Sequence, residues 1–265
     1  MSIGLEVNME FSNIILKKKD NVVKITLNRP EKRNALGEKT LLELEKAMTI
    51  IEQDQEARVV MITGRGKAFC AGADLTETEP GRPPDYFVRL WNRVFWAIEN
   101  LGKPTIAVVN GMALAGGLEL LQVCDLAIAA EDALLGDQHA NFGLIPGGGS
   151  TQRLPRLIGV RKAKELIYTG DWISAAEAER LGLVNKVVPV DKLQETADEM
   201  AKKLASKSPM AIKTAKRLIN RGVEVPLTSG LEMEIVSVGL HSTTEDMVEG
   251  LKAFGEKREP QFPGK

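Results

Sequence analysis

The chain is short of the residues that staple, ligate or stack. Two cysteines and two histidines in 265 residues supply neither a disulfide framework nor the usual four-ligand zinc set, so no metal site is expected. Cys70 and Cys124 sit among small apolar residues, which predicts reduced, buried thiols in a reducing compartment. Aromatics are 5% of the chain, and the three Trp and two Tyr are not interleaved with Lys or Arg as a base-stacking groove requires. An excess of one charge is missing too. The 35 basic and 36 acidic residues leave a net charge of −1, so no basic field attracts nucleic acid or an anionic membrane. Long apolar runs are absent: the weakly charged stretch 104–118 is interrupted by Asn110 and ends at Glu119, too short to span a bilayer. Residues 1–11 carry Glu6 and Glu10 and no basic stretch ahead of an apolar run, so no signal peptide is expected. What is present, 43% apolar and 27% charged residues, is an ordinary globular composition with room for one large domain or two smaller ones. A cytoplasmic enzyme or binding protein is the expectation.

Hydrophobic spacing sets the organisation. Residues 13–16 and 22–27 read as antiparallel strands joined by a polar turn over 17–21. Leu41, Leu44, Met48 and Ile51 mark an amphipathic helix, and residues 58–63 a buried strand closed by Gly64-Arg65-Gly66. Phe87, Leu90, Trp91, Val94, Phe95, Ile98 and Leu101 form one face of a second helix. A strand over 104–109, a helix over 116–123 and a strand over 126–129 follow, and Pro146-Gly147-Gly148-Gly149 reads as a sharp loop feeding another helix. This alternation predicts an α/β fold. From Val190 onward only helices are predicted, over 193–204, 210–220, 227–240 and 245–256. The chain therefore divides into a core, 1–190, and a C-terminal helical subdomain, 191–265. Ile235, Val236, Val238 and Leu240 put apolar side chains on more than one side of their helix, which fits a subunit interface and an internal core equally well.

Several catalytic signatures are missing. There is no phosphate-binding Gly-x-x-x-x-Gly-Lys-Ser/Thr, Ser150 is not in a Gly-x-Ser-x-Gly elbow, and Gly64 and Gly66 lack the third glycine of a dinucleotide loop. Two small-residue stretches stand out instead, Phe69-Cys70-Ala71-Gly72-Ala73-Asp74-Leu75 and Asn110-Gly111-Met112-Ala113-Leu114-Ala115-Gly116-Gly117-Leu118-Glu119-Leu120, each after a strand. Side chains this small let a ligand reach backbone N–H groups, and two such turns at neighbouring strand ends can aim two donors at one carbonyl oxygen. Gly116 falls in the first turn of a helix, where N–H groups are free. Glu119, three residues on, shares that face. Close packing of helix on strand also calls for Gly and Ala, so either stretch alone says little; with Glu119 they point to chemistry.

These residues resemble the crotonase, or enoyl-CoA hydratase/isomerase, superfamily. The likeness runs through Leu27-Asn28-Arg29-Pro30 with Asn34-Ala35-Leu36, the two small-residue stretches, Cys124-Asp125 and Phe142-Gly143-Leu144-Ile145-Pro146-Gly147-Gly148-Gly149-Ser150-Thr151-Gln152-Arg153-Leu154. It continues in Ala175-Ala176-Glu177-Ala178, Gly182-Leu183-Val184, Thr244-Glu245-Asp246, Glu249-Gly250 and Phe254. The resemblance implies a spiral of β-β-α turns with a C-terminal helical region that builds homotrimers, often paired into hexamers. It implies an acyl-CoA thioester substrate and no cofactor beyond the CoA that is part of that substrate. It also implies an oxyanion hole at the Ala73 and Gly116 N–H groups, where an enolate oxygen must be held for a weakly acidic thioester α-carbon to exchange a proton. The CoA moiety lies, by the same resemblance, along residues 31–36 and 71–75. Lys32, Arg33, Ala35, Ala71, Asp74 and Leu75 are its candidate contacts, with plain solvated charge the competing reading for Lys32 and Arg33.

The chain departs from the pattern at one informative place. Hydratases of the family use two glutamates; Glu119 matches the first, and His139 stands at the second. Gly147 occupies a position where isomerases sometimes carry an aspartate. An imidazole titrates near neutrality and can give or take a proton, but it is never anionic as a carboxylate is. Asp137, two residues earlier, would share a side with His139 in an extended segment and could orient its ring; a purely structural histidine is the competing reading. The expectation is an enoyl-CoA hydratase with Glu119 as principal acid/base and His139 assisting. The alternatives are isomerisation, carbon–carbon bond hydrolysis of a β-diketone or β-keto thioester, or non-catalytic acyl-CoA binding. Trp91, Phe95 and Trp96 are candidates for the acyl pocket, with core packing favoured for Phe95.

Overall fold

The computed structural model describes residues 11–77, 83 and 85–265. The chain enters through a hairpin of β1 (Ile14–Lys19) and β2 (Val22–Leu27), paired antiparallel. The turn is tighter than the polar run suggests. Lys17, Lys18 and Lys19 remain in β1, and only Asp20, at φ 54°, and Asn21 make the reversal. A two-residue hairpin turn needs such positive φ values, which Asp and Asn tolerate. Helix α1 (Glu38–Gln53) buries Leu41, Leu44, Met48 and Ile51, the stripe its spacing predicts.

Three successive units then repeat one path, a long strand, a short strand and a helix. The first is β3 (Val59–Gly64), β4 (Ala68–Cys70) and α2 (Tyr86–Glu99). The second is β5 (Thr105–Val109), β6 (Met112–Leu114) and α3 (Gly116–Gln122). The third is β7 (Leu126–Ala130), β8 (Leu134–Gly136) and α4 (Ser150–Ile158), followed by α5 (Val160–Thr169). Then come β9 (Trp172–Ser174), α6 (Ala175–Arg180) and β10 (Lys186–Val188). The long strands join a six-stranded sheet in the order β1-β2-β3-β5-β7-β10, the short ones a four-stranded sheet in the order β4-β6-β8-β9. This is the expected spiral of β-β-α turns. The second sheet is not predicted from the sequence, because three-residue strands are too short to show a period of two.

The large sheet is covered on both faces, as parallel sheets are. Val60 and Ile62 of β3 point into the main core with α1 and α2, while Val59 and Met61 point to the other side. That side is closed by α7 (Leu193–Ala205), which lays Leu193, Ala197 and Ala201 against it at one residue per helical turn. Helix α7 thus belongs to the sheet. The helices that stand off it are α8 (Pro209–Gly222), α9 (Leu227–His241) and α10 (Glu245–Glu256), which lie in residues 206–265. The chain end returns to the core: Arg58 donates to the carbonyls of Ala205 (3.2 Å) and Phe262 (2.6 Å). Both cysteines are free thiols, and burial pushes each up to about 12, which makes them unreactive.

Candidate active site

Two loops the sequence brings under suspicion lie side by side. Ala71 N–H donates to Arg33 O (3.0 Å), Leu36 N–H to Gly72 O (2.8 Å) and Asp74 N–H to Leu36 O (3.0 Å). In this ladder the Ala73 N–H has no acceptor among the described residues. The turn is fixed by the Asp74 carboxylate, which is buried and accepts from Arg29 Nη2 (2.9 Å), Thr76 N (3.1 Å) and Thr76 Oγ1 (2.5 Å). Burial opposes its charge, but the Thr76 bonds and the Arg29 contact outweigh that and hold its pKa below the usual carboxylate range. The carboxylate of Asp74, a candidate CoA contact, is therefore bonded inside the protein. Leu75 is exposed, Lys32 reaches Thr76 at 3.4 Å, and Arg33 adopts the left-handed conformation at φ 51° with its side chain outward. Ala35 and Ala71 line the seam between the loops.

The second donor comes from the start of α3. Ala115, at φ 48° and ψ −118°, turns the chain sharply from β6, and Gly116 follows as the first helical residue, its N–H without an acceptor among the described residues. A Cβ on Gly72 would lie 3.2 Å from the Gly116 nitrogen, so the turn carrying Ala73 abuts the turn carrying Gly116. Gly117 is required by contact: a Cβ there would sit 2.0 Å from the Cys70 carbonyl oxygen. One helical turn on, Glu119 is 2% exposed. Its Oε1 accepts from the N–H groups of Gly148 (2.8 Å) and Ser150 (3.1 Å), which leaves Oε2 without a hydrogen bond among the described residues. Burial pushes the Glu119 carboxyl up, more than the Ser150 N–H, the His139 charge and the Gly148 N–H hold it down; the Asp137 charge adds to the rise.

His139 faces Glu119 from a different path than an extended segment. Gln138, left-handed at φ 46°, turns the chain, and His139 opens a short 3-10 turn over residues 139–142. The pairing with Asp137 forms nonetheless, His139 Nδ1 to Asp137 Oδ1 at 2.8 Å, with Asp137 fully buried. Burial disfavours the imidazolium, but the hydrogen bond to Asp137, the Asp137 charge and the Glu119 charge together raise the His139 pKa.

Sequence reasoning missed two parts of this site. One is the Gly148 and Ser150 N–H clamp on Glu119, whose signal is the glycine run itself. Arg153, paired with Glu99 (2.7 Å), holds the Gly148 carbonyl at 2.9 Å and fixes the clamp. The other is how Trp91, already a candidate for the acyl pocket, is seated. A Cβ on Gly116 would lie 2.2 Å from Trp91 Cζ2, and one on Gly148 would lie 2.5 Å from Trp91 Nε1, so the indole spans both glycines. Phe87 and Phe95 meet it edge-on at 5.5 and 5.4 Å. Phe95 is core, whereas Trp96 is exposed beneath Arg221 and away from the site. Among the described residues no group of three or more His, Cys, Asp or Glu is placed to hold a metal ion. A cleft of about 380 Å³ between α8, α9 and the ends of α1 and α2 includes none of Ala73, Trp91, Gly116, Glu119, His139 and Gly148.

The arrangement is one that can stabilise charge on an oxygen while a buried carboxylate moves a proton beside it. A family model described as enoyl-CoA hydratase/isomerase matches residues 17–265, and the chain belongs to that family. It is 44% identical over 256 residues to a short-chain-enoyl-CoA hydratase of Clostridium acetobutylicum, covering 94% of this chain and 97% of that one. It is 41% identical to a crotonyl-CoA hydratase of Syntrophomonas wolfei, covering 97% of this chain and 100% of the relative. The crystal structure of an enoyl-CoA hydratase from Bacillus anthracis superposes with a TM-score of 0.91 at 47% identity, covering 96% of this chain and all of that one.

Proposed function

We propose that this chain adds water across the 2,3-double bond of an enoyl-CoA. One observation carries the proposal: Glu119 presents an unbonded carboxylate oxygen on the same helix, one turn from the free Gly116 N–H. The N–H groups of Ala73 and Gly116 hold the thioester oxygen. Water held by Glu119 attacks C3; as the O–C3 bond forms, the π pair moves through C2 to the thioester oxygen and the water's proton passes to Glu119. His139, kept charged by Asp137, gives a proton to C2 as the enolate collapses, and the two groups re-equilibrate through solvent. Preorganised donors make this feasible because the enolate is met by dipoles already in place. Lys32, Arg33, Ala35, Ala71 and Leu75 contact the CoA moiety along the seam of the two loops, and Asp74 keeps that seam rigid from within.

The test is product identification with purified protein against short, long and cyclic enoyl-CoAs and β-diketones. A 3-hydroxyacyl-CoA product is expected. The 2.8 Å His139–Asp137 pair, in place of a second carboxylate, favours carbon–carbon bond hydrolysis as the second reading, and a carboxylic acid released from a β-diketone would make it the first. A non-catalytic acyl-CoA binder would have no use for the clamp on Glu119.

We also propose that the protein is a homotrimer, or a hexamer of paired trimers, assembled through residues 206–265. Helix α9 exposes Leu227, Ile235, Val236, Val238 and Leu240, and α10 exposes Leu251 and Phe254, large apolar side chains of the kind a subunit interface covers. No helix among the described residues is long and apolar enough to cross a membrane. Two unpaired thiols suit a reducing cytoplasmic compartment.

A further inference from the structure

Trp91 is 4% exposed and its indole N–H has no hydrogen-bond partner among the described residues. Buried donors nearly always find an acceptor, and one left open beside a reactive carboxylate indicates a partner that arrives with the reaction. The position a Gly148 Cβ would take is 2.5 Å from Trp91 Nε1 and 2.6 Å from Glu119 Oε2. The two atoms are therefore at most about 5 Å apart, on the side of Gly148 where a side chain would point, and one water spans that distance with two hydrogen bonds of roughly 2.8 Å each. A Cβ at position 148 would fall against both atoms.

We propose that the Trp91 indole N–H holds the reacting oxygen: the attacking water in hydration, and the 3-hydroxyl it becomes. The inference rests on the hydratase reading above. A water admitted between the two atoms accepts from Trp91 Nε1–H, donates to Glu119 Oε2 and keeps a lone pair for C3. In the attack its oxygen bonds to C3, its proton moves to Glu119 Oε2, and the π pair ends on the thioester oxygen, with the proton at C2 supplied by His139. Water has then added with no other reactant. Packing makes the indole a fixed donor. Its ring lies against the α-carbon of Gly116 and between the edges of Phe87 and Phe95, so the N–H is aimed before substrate enters. The enoyl substrate has no oxygen on C3 and the product does. Trp91 therefore separates hydroxyacyl from enoyl and saturated chains as well as assisting the step.

Trp91→Phe keeps a ring between Phe87 and Phe95 and removes the donor. With a short trans-2-enoyl-CoA we expect kcat to fall about tenfold, the scale of one lost hydrogen bond to the reacting atom, with KM within about twofold. In dehydration the KM for the 3-hydroxyacyl-CoA should rise by a similar factor, and calorimetric affinity for the saturated acyl-CoA should stay the same. Unchanged kcat, or equal losses of affinity for hydroxyacyl- and saturated acyl-CoA, would overturn the proposal in favour of plain packing. If Trp91→Phe does not fold, Trp96→Phe with Trp172→Phe leaves Trp91 the sole indole. Its emission should respond to 3-hydroxyacyl-CoA beyond its response to the saturated thioester, and identical responses overturn the assignment. A wild-type protein that hydrates no enoyl-CoA overturns the parent reading and this one together, whereas a wild type that hydrates and a phenylalanine variant that matches it overturn this one alone.

Discussion

Glu119→Gln isolates the proton chemistry of the site. The amide oxygen of glutamine can still accept from Gly148 N–H and Ser150 N–H, the bonds of 2.8 and 3.1 Å that seat the carboxylate. The side chain keeps its length, so the clamp and α3 should hold. Burial already disfavours the Glu119 charge, and a neutral amide removes that penalty, so the melting temperature should be equal or higher. The proposed oxyanion donors at Ala73 and Gly116 are untouched, and affinity for a saturated acyl-CoA should stay within about threefold, less than one hydrogen bond's worth. What disappears is the base. A positioned acid/base supplies about 10²–10⁴-fold, or about 2.7–5.4 kcal/mol of barrier, so kcat should drop by at least about a hundredfold. The assay is loss of the ultraviolet absorbance of the conjugated enoyl thioester under saturating substrate, with the saturated thioester titrated calorimetrically in parallel. A glutamine variant keeping more than roughly a tenth of wild-type kcat, well short of what a lost acid/base removes, would take Glu119 out of the mechanism. A fall in kcat/KM matched by a fall in affinity would show that the side chain binds and does not react.

The pH profile should be bell-shaped, because Glu119 must be ionised and His139 protonated. The Glu119 pKa is raised from 4.5, so activity is lost on the acid side at a higher pH than for an ordinary carboxylate. The His139 pKa is raised from 6.5, so activity is lost on the alkaline side above that value. Asp137→Asn should move the alkaline limb to lower pH, since it removes the carboxylate that stabilises the imidazolium. His139→Ala should abolish that limb and cost about a hundredfold or more, with His139→Glu recovering part of the rate; an alanine variant with wild-type turnover and profile would reduce His139 to a structural residue. Gly148→Ala should remove most turnover and about 1–3 kcal/mol of stability through overpacking, read by assay and denaturant titration, because its Cβ would fall 2.5 Å from Trp91 Nε1 and 2.6 Å from Glu119 Oε2. Ile235→Asp, on the exposed face of α9, should shift sedimentation toward the monomer without loss of helix by circular dichroism, and full-length protein sedimenting as a monomer at micromolar concentration would defeat the proposed assembly.

Local periodicity and local steric demand are legible in consecutive residues. The stripe of α1 could be read directly because burial on one face of a helix repeats every 3.6 residues, and β3 as a short, mostly apolar buried run; the four C-terminal helices stand where the sequence places them. The glycines of the two turns and the loop ahead of α4 were equally legible, since close backbone approach tolerates little else. Glu119 followed from its helical register with Gly116, and the motifs around His139 marked it as the departure from the two-glutamate pattern. The remaining features arise where distant segments meet. Strands of three residues exist because neighbouring chain segments offer them backbone partners, as β4 finds in β6. Helix α7 looks like its exposed C-terminal neighbours in sequence, but the open face of the large sheet claims Leu193, Ala197 and Ala201. The carboxylate of Asp74 is drawn inward by Arg29, 45 residues away in sequence. The clamp on Glu119 spans 29 and 31 residues, and the seat of Trp91 depends on two distant glycines leaving space for an indole. Such contacts carry no local period, because each depends on how separate elements meet, and that is settled by packing the whole core at once.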